Sequence, residues 1–311
     1  MRLEMFANEL SFVPPADDLA AGKIRAEQYV LTMRQATSRG IGRALQIPYD
    51  FWSTQLSSGY HLYNWRNDTS VERENRQFLV ALATKMPYLA DEAFLSSRWA
   101  ELDCLWQTEK SLGLKAAYVS DGLALSLQSN SEWDRHEICC EIQAVTDSNI
   151  QCWTEKIHHA SSPEHIKLQT SWILQRIQNT FRDGKDLWKR IGELFPLLDF
   201  CPGIEEQMSN LPTIVAPGIT RGLFYLNSYC MEWKSGPFNK TILQCNASPE
   251  SEPTLNKYRK EHTFLCPDGN YRIFSWHAKL GMCRIHFDPT LGAGRILVGY
   301  VGKHLPTVTG S

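Results

Sequence analysis

Long apolar runs are missing from this chain. The longest, from Phe78 to Ala90, is interrupted by Thr84, Lys85 and Pro87 and falls well short of the roughly 20 residues needed to cross a bilayer, so no membrane partner is expected. The opening residues, Met1 to Leu10, mix Arg2, Glu4, Asn8 and Glu9 into their apolar positions and lack the uninterrupted core of a secretion signal. No CxxC pair occurs among the nine cysteines (104, 139, 140, 152, 201, 230, 245, 266, 283), which points to reduced thiols and a cytoplasmic protein. No GxxxxGK[ST], GxGxxG or GxSxG motif is present, which argues against a nucleotide-driven motor, a dinucleotide enzyme and an α/β-hydrolase. Internal repeats and low-complexity tracts are also lacking.

What is present suits a folded protein. A hydrophobic fraction of 43% over 311 residues is enough for a sizeable core, and 21% charged residues is ordinary for a globular chain. Residues 17–40 and 70–112 carry apolar positions every three or four residues, including Phe78, Leu79, Leu82, Leu89, Leu95, Trp99, Leu102 and Trp106. This predicts a mainly helical region over 1–113. The texture then shortens to runs such as Ala116 to Val119 and Leu123 to Leu127, separated by turn residues. Helical spacing returns at 164–182 and 187–198, so 114–210 reads as mixed α and β. A Pro-rich stretch, Pro212 to Gly218, marks the next boundary, and 211–311 reads as a helix followed by antiparallel strands. The predicted fold class is α+β.

Charge is unevenly spread. From Lys257 onward eight Lys and Arg face three acidic residues, a net of +5, which leaves −7 for the rest of a chain whose total is −2. Four of the nine histidines lie in the same tail. A basic segment on an acidic body suits an anionic partner such as nucleic acid.

Two strands are legible there. His277 and Lys279 alternate with Trp276 and Ala278, and Arg284 and His286 alternate with Ile285 and Phe287. Gly281-Met282 between them has the signature of a two-residue hairpin turn, which pairs Leu280 with Cys283. Lys279 then faces Arg284 and His277 faces His286, a square of basic groups predicted on one exposed sheet face. Like charges so placed repel unless an anion sits among them. The chemistry this would support is metal-free RNA cleavage, with imidazoles moving protons and Lys279 and Arg284 stabilising the crowded phosphate. Arg259, Lys260, Arg272, Tyr300, Lys303 and His304 are candidate nucleic-acid contacts around it.

A zinc set of Cys266, His277, Cys283 and His286 has suitable donor types. Its Cys-x2-His spacing lacks a second tight pair, so neither metal nor cofactor is expected. Arg272-x4-His277 has a helical nuclease spacing, but on a strand those side chains point to opposite faces.

The stretches Phe274 to Leu280, Arg284 to Phe287 and Val298 to Thr307 resemble the terminal strands of RelE/ParE-type toxins. The likeness covers about residues 255–307 and implies helices on a small antiparallel sheet. It also implies RNA or the ribosome as target, and an antitoxin or another defence-complex protein as partner. In that reading the protein is a bacterial, toxin-like endoribonuclease, a hydrolase suited to antiviral defence. The alternatives are a non-catalytic nucleic-acid- or protein-binding component of such a complex, and a purely structural subunit.

Overall fold

The computed structural model describes residues 3–83, 99, 101–145 and 149–308. The helical expectation at Leu89 and Leu95 lies outside the described residues. Helices and strands are interleaved through the chain, so the α+β class holds. Contacts group the chain into two compact units, residues 1–37 with 41–173, and residues 38–40 with 174–311. The change of texture near 113 falls inside the first, and the Pro-rich stretch 212–218 inside the second. No helix among the described residues is long and apolar enough to cross a membrane.

The first unit is built on a seven-stranded sheet. Its strands are β1 (Met5–Ala7), β2 (Leu45–Gln46), β5 (Leu102–Trp106), β6 (Glu109–Lys110), β7 (Leu123–Leu125), β8 (Glu137–Val145) and β9 (Ile150–Ala160). The order is β2-β1-β7-β9-β8-β5-β6, parallel from β2 to β9 and antiparallel from there to β6. Strands β3 (Gln55–Ser57) and β4 (Tyr60–His61) form a separate small ribbon. Among the described residues, the helices are α1 (Leu19–Ser38), α2 (Leu62–Asn67), α3 (Arg73–Ala83), α4 (Leu112–Ser120), α5 (Pro163–Leu168) and α6 (Thr170–Gln178). The last begins in this unit and ends in the second.

Two local expectations are corrected. Ala116 to Val119, expected as a strand, lies within α4, because Ser111 caps its start by accepting from Leu114 N at 3.0 Å and Asp121 closes it in the left-handed region at φ 48°. Leu102 to Trp106, expected as helix, is β5: Leu102 and Cys104 are buried at a period of two. The core gathers Phe6, Leu114, Ile138, Ile142 and Ile157 about Trp133, whose ring centroid is 4.2 Å from that of Trp106.

A buried polar chain runs through the same unit. Asn8 donates to Ser126 Oγ at 2.9 Å, Ser126 Oγ meets His159 Nε2 at 2.7 Å, and His159 Nδ1 lies 2.6 Å from Arg135 O. Every hydrogen-bonding atom of His159 thus has a partner, as burial demands.

The second unit carries a five-stranded sheet in the order β10-β16-β15-β14-β11. The strands are β10 (Leu198–Phe200), β11 (Ala247–Pro249), β14 (Trp276–Leu280), β15 (Cys283–Asp288) and β16 (Ile296–Lys303). Only β10 with β16 is parallel. A second ribbon pairs β12 (Thr263–Leu265) with β13 (Tyr271–Ile273). The helices are α7 (Gly184–Lys189), α8 (Ile191–Leu194), α9 (Ile204–Ser209), α10 (Ala216–Glu232) and α11 (Glu252–Lys257). Helix α10 comes so close to the sheet that a Cβ on Gly222 would stand 2.5 Å from Leu280 Cδ1 and 2.8 Å from Ile285 Cδ1. The other sheet face is partly roofed by the ribbon, with Phe264 stacked on Tyr300 at 5.8 Å.

Gly184 has no room at all. A Cβ there would lie 1.9 Å from Met208 O, a backbone atom that cannot swing aside. Gly184→Ala should therefore lower stability by about 2–3 kcal/mol or more, read as a fall in the denaturation midpoint. An unchanged midpoint would show that α7 and α9 do not pack this closely.

Candidate functional site

The hairpin register is as the turn dictates. Leu280 pairs with Cys283, Lys279 with Arg284 and His277 with His286, and Gly281 takes a φ of +63°, open to glycine at no steric cost. The four side chains share one face, opposite the one under α10. Strand β16 continues it, pairing Tyr300 with His286 and Gly302 with Arg284.

Exposure of that face is the main correction. His277 is 4% and His286 1% exposed. Only the turn end is open, with Lys279 exposed and Arg284 half-buried. Alternation identifies the face but does not show what lies over it. His262, itself fully buried, brings its ring within 5.2 Å of His286, and Phe264 and Tyr300 stand at 6.5 and 5.7 Å. His277 and His286 are 5.4 Å apart, and His304 lies 6.5 Å from His277.

Like-charge repulsion in the square is relieved without an anion. Arg284 Nη1 turns back onto the carbonyls of Gly281 and Cys283 at 2.7 and 2.8 Å. The imidazoles lose their charge: burial, then the nearby Lys279 and Arg284, push His277 down to about 4. Burial, then His277 and His262, push His286 down to about 2. Both are neutral at pH 7.

The remaining candidates are dispersed. Arg259 and Lys260 are exposed beyond α11. Arg272 lies on the ribbon, paired to Asp268 at 2.5 Å. Tyr300 is on the histidine face, its hydroxyl donating to Lys303 O at 3.1 Å. Lys303 pairs with Cys283 and so falls on the other face, at the exposed strand end. His304 is exposed, with Nδ1 2.6 Å from Leu305 O. Among the described residues, Lys279, Arg284, Lys303, Arg259 and Lys260 have no carboxylate partner. Gly299 makes room for aromatic rings, since a Cβ would meet Phe274 at 2.6 Å and Phe264 at 2.9 Å. The four-residue zinc set does not converge. Cys283 is on the α10 face, and the free thiol of Cys266 donates to Phe264 O at 3.7 Å.

Two residues that sequence reasoning passed over stand beside His277. Strand β11 pairs Ser248 with His277, putting Ser248 Oγ 3.3 Å from Nε2. Glu250, two residues on, places Oε1 2.8 Å from His277 Nδ1, close enough for an ion pair but out of line for a hydrogen bond. Its side chain is 8% exposed. The polar, Pro-flanked stretch around Glu250 reads as a linker, and only the long-range pairing of β11 reveals it.

No family model, curated protein or solved structure matches the chain. The chemistry of the site therefore follows from its own side chains.

Proposed function

We propose that the second unit is a toxin-like RNA-binding unit that holds backbone phosphate at the open end of its sheet, across Lys279 and Arg284. The observation that carries this is the pairing of those two cations, directly opposed on adjacent strands at the open turn with no carboxylate partner among the described residues. Two cations at strand spacing, without carboxylate partners among the described residues, suit a phosphate, whose binding releases condensed counterions. The RelE/ParE-like reading belongs to the same proposal. It is supported by helices packed on a small, mostly antiparallel sheet whose centre is the meander of β14, β15 and β16.

Endoribonuclease action is the second reading. In its favour, His277 stays neutral at pH 7 and so can accept a proton. Against it, neither imidazole is charged at that pH to act as the acid, and both are covered. Binding is thus what the geometry favours.

Titrating a single-stranded RNA into the full chain separates the readings. Lys279→Ala and Arg284→Ala should each weaken binding and lower the salt slope by about 1. The RNA should stay intact. Products ending in 2′,3′-cyclic phosphate, lost in His277→Ala, would establish cleavage instead. Wild-type affinity in the Lys279→Ala, Arg284→Ala double variant would remove the RNA proposal and favour a protein partner.

A further inference from the structure

Three buried imidazole nitrogens at one spot, Nδ1 of His277 and both of His286, lack the hydrogen-bond partners that burial demands among the described residues. Among the described residues, ligand atoms of Glu250, His277 and His286 all lie within 4.8 Å of one another. His286 is 1% exposed and neither of its ring nitrogens has a hydrogen-bond partner among the described residues. His277 uses Nε2 toward Ser248 and turns Nδ1 to a carboxylate oxygen that is not in line to share a proton. In the tautomer where Nε2 donates to Ser248, a nitrogen lone pair faces an anion at 2.8 Å, which is repulsive unless a cation lies between them. Buried polar atoms left unsatisfied each cost on the order of 1–3 kcal/mol, and several collect here.

We infer that Glu250, His277 and His286 form a binding site for a divalent transition-metal ion of the zinc class, tying the edge strand β11 to the β14–β15 hairpin. Two imidazoles and one carboxylate are ligands such an ion accepts, and the second nitrogen of a ligating histidine commonly bonds an outer partner, the place Ser248 takes. Tetrahedral zinc needs donors about 3.3 Å apart, so side-chain rotation would part His277 Nδ1 and Glu250 Oε1, now at 2.8 Å, and draw the wider pairs inward. A water or His262, whose Nδ1 also lacks a partner, can complete the shell. Burial of all three ligands makes this a closed, structural site, and it does not depend on the RNA proposal.

The test uses the full chain, stripped with EDTA, dialysed and titrated with Co²⁺ and then Zn²⁺. One Co²⁺ per chain should bind, with the weak visible bands of nitrogen and oxygen ligands and none of the intense near-ultraviolet absorption of thiolate coordination. Zn²⁺ should displace it and raise the unfolding temperature as its free concentration rises. Glu250→Gln and His286→Gln should each weaken uptake by at least the roughly 10–100-fold that losing even an outer partner costs. Changing the exposed Cys139 and Cys152 to Ser should not alter it. Failure to bind Co²⁺, thiolate absorption accounting for all that binds, or unchanged uptake in both ligand variants would overturn the inference. Should a variant not fold, the wild-type cobalt spectrum decides, because thiolate and imidazole–carboxylate ligation differ in it.

Discussion

Lowering the pH from 7 to 5 should cost the first unit about 2 kcal/mol of stability through His159 alone. Burial drives this imidazole down to about 3, against an ordinary value of 6.5. The folded state therefore leaves it neutral where the unfolded chain takes up a proton. Such a group contributes fully above the unfolded value, and the contribution is lost as pH falls from about 6.5 toward 3, at up to about 1.4 kcal/mol per pH unit. The geometry agrees: with Nδ1 donating to Arg135 O, Nε2 must accept from Ser126, so a proton on Nε2 would reverse that bond and take away the acceptor of the Ser126 hydroxyl. His158, half-buried, and His165, buried, are displaced in the same direction, by burial first. Amide exchange of the segments around Leu125 and Ala160 reads the effect locally. His159→Gln should flatten much of the acid slope whatever it does to stability at pH 7. An unchanged slope in that variant would show that His159 is not a buried neutral imidazole.

Trp133→Ala should be the most damaging single truncation in the same unit, at about 3–5 kcal/mol. The side chain is fully buried in the cluster formed by Phe6, Leu114, Ile138 and Ile157, and it stacks near Trp106. Its indole nitrogen has no hydrogen-bond partner among the described residues. Trp133→Phe should therefore lose volume without losing a hydrogen bond, and cost well under half as much. Denaturant midpoints of the two variants measure the difference. Equal losses would mean that the indole nitrogen carries an interaction, or that the site collapses around either residue.

What could be read from the sequence was set by local rules. Gly281-Met282 fixed the hairpin, because a two-residue turn leaves one register, and Lys279, Arg284, His277 and His286 fall where that register puts them. The helical spacing over 17–40 was also legible, and α1 occupies it. Where two periods fit, local spacing misled. Leu102 and Trp106 are four apart and suit a helix, yet they belong to a strand paired with β8. The Ala116 to Val119 run carries strand-forming residues, but a serine cap and a left-handed Asp121 enclose a helix. The site was harder still. Alternation tells which residues share a face and is blind to Phe264, His262 and β11, which arrive from elsewhere and close over the histidines. Glu250 has no neighbour in sequence that marks it, and its role depends on a pairing across 27 residues.

The most direct test of the central claim is the salt dependence of single-stranded RNA binding by the full chain, compared with the Lys279→Glu, Arg284→Glu double variant. Affinity in the wild type should fall steeply and linearly on logarithmic axes as salt rises, while the variant should bind far more weakly with a slope shallower by about 2. Two curves of the same affinity and slope would contradict the assignment of phosphate to this sheet end.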